Sequence, residues 1–355
     1  MPLLFSPLTI REITLKNRIV ISPMCQYSAQ EGFANDWHFV HLGSRAVGGA
    51  GLVMTEATAI SPEGRISPGD MGIWQDEHIQ PLRRITDFIH AQGSIAGIQL
   101  AHAGHKASSH VPWKGGRLAL PNEGGWQPVS SSAHALSVDH QFSEALTRDG
   151  IQKVVDDFKT ATRRALSAGF KVIEIHAAHG YLLNGFLSPL VNQRTDEFGG
   201  SFENRTRLLL QIATEVRAIL PVGFPLFVRL SATDWSEGGW TIDDSAALAG
   251  LLKNRGVDLI DCSSGGLVKP SAIPVGPGYQ VPLAEAIKSK TGILTGAVGM
   301  ITEARQANEI IESGQADLIL IARESLRDPY FPLRAAHELG VDVTYPVQYE
   351  RSKRK

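Results

Sequence analysis

Eight short apolar runs, each followed by a turn and a helical pattern, constrain this 355-residue chain more than any other feature. They cover 18–23, 52–57, 94–100, 172–177, 225–231, 259–263, 293–298 and 318–322. The runs are rich in β-branched residues and apolar without alternation, as expected for strands buried on both faces. Between them the spacing predicts a helix over 76–92, with Ile79, Leu82, Ile85, Phe88 and Ile89 as its stripe. A second helix is predicted over 147–168, on Ile151, Val154, Val155, Phe158, Ala161 and Ala165. Thr241 and Asp244 form a capping-box-like start to another, and Gly93, Gly169, Gly256 and Gly314 mark helix ends.

Eight such units predict an α/β fold, a closed (β/α)8 TIM barrel spanning 1–355 as one domain. A doubly wound open sheet is the runner-up. It lacks a GxGxxG after the first strand and a Walker A motif. A typical barrel takes about 250 residues, and the surplus falls into recognisable extras. Residues 3–16 predict an N-terminal β-hairpin that closes the barrel bottom. Residues 103–146 form an extended loop after the third strand, rich in Pro, Gly, Ser and Trp. Residues 341–355 form a C-terminal tail.

Composition removes other classes. Lys and Arg number 34 against 36 Asp and Glu, a balance that speaks against a dedicated nucleic-acid binder. The two cysteines, Cys25 and Cys262, are too few and too distant for a disulfide framework, a zinc ribbon or a cysteine-ligated iron–sulfur cluster. No apolar run has the length of a membrane span, and the N-terminus has no signal-peptide pattern, so the expected location is cytoplasmic.

Active sites of such barrels lie at the C-terminal ends of the strands, where polar residues cluster here. Gly296 and Gly299 follow the seventh run and Arg323 the eighth. Loops 7 and 8 commonly hold phosphate on backbone N–H groups, and an arginine there adds a bidentate cation. The glycines alone read more simply as tight turns. His176 and His179, after the fourth run, read three ways: a metal pair, a donor pair for a carbonyl oxygen, or two structural histidines. HExxH is absent and no nearby carboxylate completes a metal set. Tyr181, two residues on, favours an acid beside an oxyanion-binding pair. Arg229 stands where a buried guanidinium needs an anion or a carbonyl. Gln99 suits an amide-like heterocycle or the backbone. Cys25 alone reads as a small hydrophobe.

These residues resemble a known family. The segments Ser22-Pro-Met-Cys-Gln-Tyr27, His176-Ala-Ala-His-Gly-Tyr181, Asn192-Gln-Arg-Thr-Asp-Glu-Phe-Gly-Gly-Ser201 and Pro346-Val-Gln-Tyr-Glu-Arg351 are similar to the old yellow enzymes. The match is to their thermophilic-like class of NADPH dehydrogenases and xenobiotic reductases, and it runs from Phe5 to Arg351. The resemblance implies bound FMN, with NADPH or NADH as reductant and hydride delivery to the β-carbon of an activated alkene. Enones, maleimides, nitro compounds and quinones are the implied substrates. It places Ser22, Pro23, Met24 and Cys25 along the flavin, Ala57 and Gln99 at its ring, and Arg229 at the pyrimidine edge. Gly299, Ala322 and Arg323 hold the phosphate. His176 and His179 bind the substrate oxygen, Tyr181 protonates the α-carbon, and Tyr27 positions the substrate.

The resemblance also assigns Arg351 to a neighbouring subunit's active site, which implies a homodimer or homotetramer. Read alone, the run from Arg351 to Lys355 is a charged solvated tail. Many members have Gly-Arg where this chain has Ala322-Arg323, and alanine fits there only where φ stays negative. The readings kept as alternatives are a flavin-free metal-dependent lyase using His176 and His179, and a non-catalytic flavin sensor.

Overall fold

The computed structural model describes residues 2–133, 143–268 and 272–353. A 3-10 turn at Leu3–Phe5 leads into a hairpin, β1 (Leu8–Ile10) and β2 (Ile13–Leu15), paired antiparallel. The barrel strands are β3 (Ile19–Ile21), β4 (Leu52–Ala59), β5 (Ile95–Ala101), β8 (Val172–Ala177), β9 (Leu226–Ser231), β10 (Leu259–Ser263), β11 (Leu294–Ala297) and β12 (Leu318–Ile321). They close in sequence order, β12 pairing with β3, and every barrel pair is parallel. β6 (Val129–Ser130) and β7 (Glu144–Ala145) pair within the loop after β5. The part of that loop at 134–142 lies outside the described residues.

The helices are α1 (Asp36–Val47), α2 (Ile79–Ala91), α3 (Arg148–Ser167), α4 (Leu182–Leu187), α5 (Phe202–Ile219), α6 (Ile242–Lys253), α7 (Val281–Thr291), α8 (Ala304–Glu312), α9 (Arg323–Arg327) and α10 (Phe331–Glu338). Local chemistry starts them where the sequence predicts. Thr147 Oγ caps α3 by accepting from Gly150 N–H, and Thr241 with Asp244 forms the capping box of α6. The predicted helix over 76–92 divides into a 3-10 turn, Asp76–His78, and α2. Pro81 lies in the first turn of α2, where a missing N–H costs nothing.

Strand ends differ from the predicted runs by one or two residues, for physical reasons. β3 stops before Pro23, which has no N–H to donate to the ladder. β12 stops before Ala322, whose φ of −102° and ψ of −103° leave the extended region. That φ is negative, the condition for an alanine at this position.

Two apolar layers hold the fold. The outer layer packs strand residues such as Ile19, Val53, Ile98, Ile173, Val228 and Ile260 against the helices. The inner one fills the barrel with Val20, Leu52, Met54, Val172, Phe227, Leu259, Leu318 and Leu320. Ile10 and Leu15 of the hairpin belong to this second cluster, alongside residues from strand starts, so the hairpin plugs the bottom as expected. Among the described residues, no helix is long and apolar enough to cross a membrane.

Candidate active site

Side chains alternate along a strand, so Glu174 and His176 on β8 share the barrel's inner face with Gln99 on β5, Arg229 on β9 and Asp261 on β10. Register makes them neighbours: Gln99 is opposite Glu174, His176 opposite Arg229, and Arg229 opposite Asp261. All five are buried. Gln99 Nε2 donates to Glu174 Oε1 at 2.7 Å. Arg229 Nε stands 3.1 Å from Asp261 Oδ2, off the line of a hydrogen bond.

This cluster carries two carboxyls and one guanidinium out of water. Burial raises Glu174 from 4.5 to about 8, with the Asp261 charge adding and Arg229 opposing. Burial likewise lifts Asp261 to about 6 against the pull of Arg229. A carboxyl that holds its proton more tightly when folded stabilises fully below its unfolded pKa, and loses that contribution as pH climbs through the folded value. Replacing Glu174 with glutamine removes this loss. The Tm of Glu174→Gln relative to wild type should therefore rise by several degrees between about pH 5 and pH 8. A difference constant across that range would mean that Glu174 does not titrate there.

Above the cluster lie the histidines and tyrosines. His176 Nδ1 accepts from Ala178 N–H at 3.2 Å, which leaves the proton on Nε2. His179 follows in a left-handed conformation, φ 62°, fixed by Ser231 Oγ on its N–H at 2.9 Å. Its Nε2 lies 2.6 Å from Ser263 Oγ. The His176 ring is edge-on to His179 at 5.2 Å and to Tyr181 at 4.9 Å. Burial holds both imidazoles well below the usual histidine range, and Arg229 and Lys106 push the same way. Burial also keeps the Tyr181 phenol well above its ordinary value. The site therefore offers neutral N–H donors and a phenol that retains its proton.

The remaining predicted residues frame this group. Ser22 follows β3, buried, with an Oγ that has no hydrogen-bond partner among the described residues. Pro23, Met24 and Cys25 continue from it, half-buried, and Tyr27 stands at φ 50°. Burial pushes the Cys25 thiol and the Tyr27 phenol up. Ala57 on β4 lies opposite Gln99. Gly296 faces inward, where a Cβ would come within 2.5 Å of the Leu320 side chain. Gly299 has φ 125°, and a Cβ there would crowd Gln280 and Tyr279 at 3.0–3.1 Å. Arg323 opens α9 with its side chain exposed.

Arg351 does not join them. It lies exposed in the 3-10 turn Val347–Ser352 of the tail, which packs by Tyr349 against Tyr330. Among the described residues no hydrogen bond or ion pair links it to His176, His179 or Tyr181. A cavity of about 700 Å³ beneath this tail is lined by Asn17, Gly49 and Gln92, which precede β3, β4 and β5. It therefore lies towards the opposite end of the barrel from the histidines.

Several site residues escaped the sequence reading. Glu174 and Asp261 had a usable signal, a carboxylate inside an apolar run two residues before a polar strand end. Lys106 had none: it sits in the loop after β5, and its Nζ donates to His179 O at 2.7 Å and to Gly266 O. Burial draws its pKa down to about 8. Trp113 of the same loop approaches Tyr27 edge-on, 5.9 Å between ring centres. Among the described residues, no three His, Cys, Asp or Glu side chains are grouped to share a metal ion.

Comparison with known proteins bears on this arrangement. The profile of the NADH:flavin oxidoreductase / NADH oxidase family matches residues 3–342. An NADPH dehydrogenase of Halalkalibacterium halodurans is 49% identical over 352 residues, covering 98% of both chains. An NADPH dehydrogenase of Bacillus subtilis matches to the same extent, 49% over 352 residues and 98% of each chain. The solved structure of an old yellow enzyme homologue from Zymomonas mobilis superposes with a TM-score of 0.78 at 28% identity, over 97% of this chain and 94% of that one.

Proposed function

This chain belongs to the NADH:flavin oxidoreductase / NADH oxidase family, the old yellow enzymes, and from that premise we propose that it is an FMN-containing NADPH dehydrogenase that reduces activated C=C bonds. The observation that carries the reading is the convergence of two neutral imidazoles and a protonated phenol at His176, His179 and Tyr181, at the mouth of the barrel.

The residues fit a flavin mononucleotide. Ser22 Oγ is a buried polar atom without a hydrogen-bond partner among the described residues. Gln99 and Arg229 offer an amide and a cation at the barrel mouth. The glycine backbone at 296 and 299 leaves no room for side chains. Ser22, Pro23, Met24, Cys25, Ala57, Gln99 and Arg229 would hold the ring, and Gly299, Ala322 and Arg323 the phosphate. When bound, FMN supplies a two-electron carrier between NAD(P)H and the alkene.

The chain's own groups do the rest. His176 and His179 would donate N–H bonds to the substrate's carbonyl or nitro oxygen, drawing electron density from the β-carbon. Neutral imidazoles suit this task because they stabilise charge that develops there without binding a resting anion. Tyr181 would give its proton to the α-carbon, and burial keeps that proton in place until it is needed. Lys106 fixes the His179 carbonyl, and Tyr27 with Trp113 borders the entrance. Enones, maleimides, nitroalkenes and quinones all carry the required electron-withdrawing oxygen.

The reading is tested by following NADPH and cyclohexenone together. NADPH loss should match the saturated ketone one to one and survive chelation of metals. Cyclohexenone consumed without NADPH would overturn it in favour of a lyase. No NADPH oxidation despite bound flavin would overturn it in favour of a sensor.

The tail position supports Arg351 acting in a neighbouring subunit of a homodimer or homotetramer. Tyr181→Phe and Arg351→Ala, each slow alone, should regain activity when mixed and allowed to exchange subunits. In such hybrids one site combines Tyr181 with an intact neighbouring arginine. No recovery in demonstrated hybrids would contradict the role of Arg351.

A further inference from the structure

Strand β4 carries a defect with a purpose. Met54 pairs with Gly97 and Ala57 with Gln99, so both point into the barrel, and the register shifts between them. Thr55 and Glu56 together stand opposite Ile98 alone, so β4 carries one extra residue there, a bulge of the kind that re-aims side chains beside active sites. Thr55 and Thr58 hydroxyls cover the Glu56 carbonyl at 3.1 and 2.8 Å. Freed from the alternation, the Glu56 side chain turns to the segment that follows β3. Its Oε2 accepts the Gln26 N–H at 2.9 Å. Its Oε1 stands 3.1 Å from His38 Nε2, with both side chains almost wholly buried.

His38 belongs to the first turn of α1, and that turn grips the same segment. Asn35 N–H reaches His38 Nδ1 at 3.1 Å, Asn35 Nδ2 donates to Ser28 O at 2.7 Å, and Trp37 Nε1 donates to Gln26 Oε1 at 3.1 Å. From the other side, Ala29 N–H donates to Gly69 O at 2.8 Å. The gripped segment holds Cys25 and Tyr27, and Tyr27 has a φ of 50°. A bulky residue in that region is strained and persists only where its surroundings over-determine it. A buried carboxylate facing an imidazole and one backbone N–H is costly to keep. An apolar residue would serve the strand equally well.

We propose that Glu56, backed by His38, is a positioning residue that holds Cys25 and Tyr27 at the flavin and substrate side of the site. This deepens the proposed oxidoreductase reading. Its test is read on flavin-free protein, so the two can fail separately.

The probe is alkylation of Cys25 by iodoacetamide, located by mass spectrometry. Cys262, fully buried, serves as an internal control for loosening of the barrel. Glu56→Ala and Glu56→Gln both remove the charge, which affects the thiol equally in each. Only glutamine retains an oxygen for the Gln26 N–H. Glu56→Ala should label at Cys25 about tenfold faster than Glu56→Gln, as local opening frees the segment while the barrel stays closed. Equal rates in the two variants would overturn the proposal, as would a parallel rise at Cys262. If Glu56→Ala does not fold, Glu56→Asp keeps the charge and shortens the reach. It should then label faster than wild type, and a rate equal to wild type would overturn the proposal.

Discussion

Replacing Tyr181 with phenylalanine should slow the alkene half-reaction by about 10²–10⁴-fold, the usual contribution of a positioned acid, and leave bleaching by NADPH nearly unchanged. The asymmetry follows from what the residue offers. Its phenol is buried and held well above its ordinary pKa, chiefly by burial, with Cys25, Tyr27 and Asp70 adding to it. A group so held is of no use as a base at neutral pH. It serves where a proton must be delivered to carbon as negative charge develops. Phenylalanine keeps the ring that packs edge-on to His176 at 4.9 Å, so the loss reports the hydroxyl and not the packing. Stopped-flow measurement of the two half-reactions checks this. Equal losses in both would remove Tyr181 from the role of proton donor.

Removing the Arg229 guanidinium should have the largest effect on the protein itself. Arg229 is the cation that opposes the upward shift of both Glu174 and Asp261. Arg229→Met approximates the volume but strands two buried carboxyls. Breaking a buried pair from one side costs about 3–5 kcal/mol, which lowers Tm by roughly 5–15 °C. The defect should grow with pH, because the stranded carboxyls hold their protons more tightly in the folded state and must lose them against burial. It should be smallest near pH 5. Adding Asp261→Asn removes one stranded charge and should return part of the loss. FMN retention should fall as well, through loss of the cation at the ring. Thermal melts of the single and double variants across pH check the account. A defect independent of pH, or one deepened by Asp261→Asn, would contradict it.

How much of this was legible beforehand depends on the physics that places each residue. Barrel strands are buried on both faces, so their apolar runs stand out, and β8 and β10 coincide with the predicted runs. The hairpin was legible because Ile10 and Leu15 need a core to enter and the strand starts provide one. His176, His179 and Tyr181 stood at a strand end where barrels keep their chemistry. Lys106 was not legible, because a loop of 3-10 turns after β5 has no period to place it. Glu56 falls inside the predicted run 52–57, but its role depends on a one-residue shift in the β4 ladder, which leaves no mark on apolar patterning. Glu174 and Asp261 illustrate the middle ground. A carboxylate in an apolar run signals a buried partner, but only the register of β8, β9 and β10 shows that Arg229 is that partner.

On this reading the barrel mouth binds FMN and cycles it between NADPH and an activated alkene. The most direct measurement is the visible spectrum of the purified protein, reconstituted with FMN and kept free of oxygen. The protein should be yellow, bleach with NADPH and regain its colour when cyclohexenone is added. A protein that stays colourless after reconstitution, or one that NADPH bleaches and no activated alkene recolours, would contradict it.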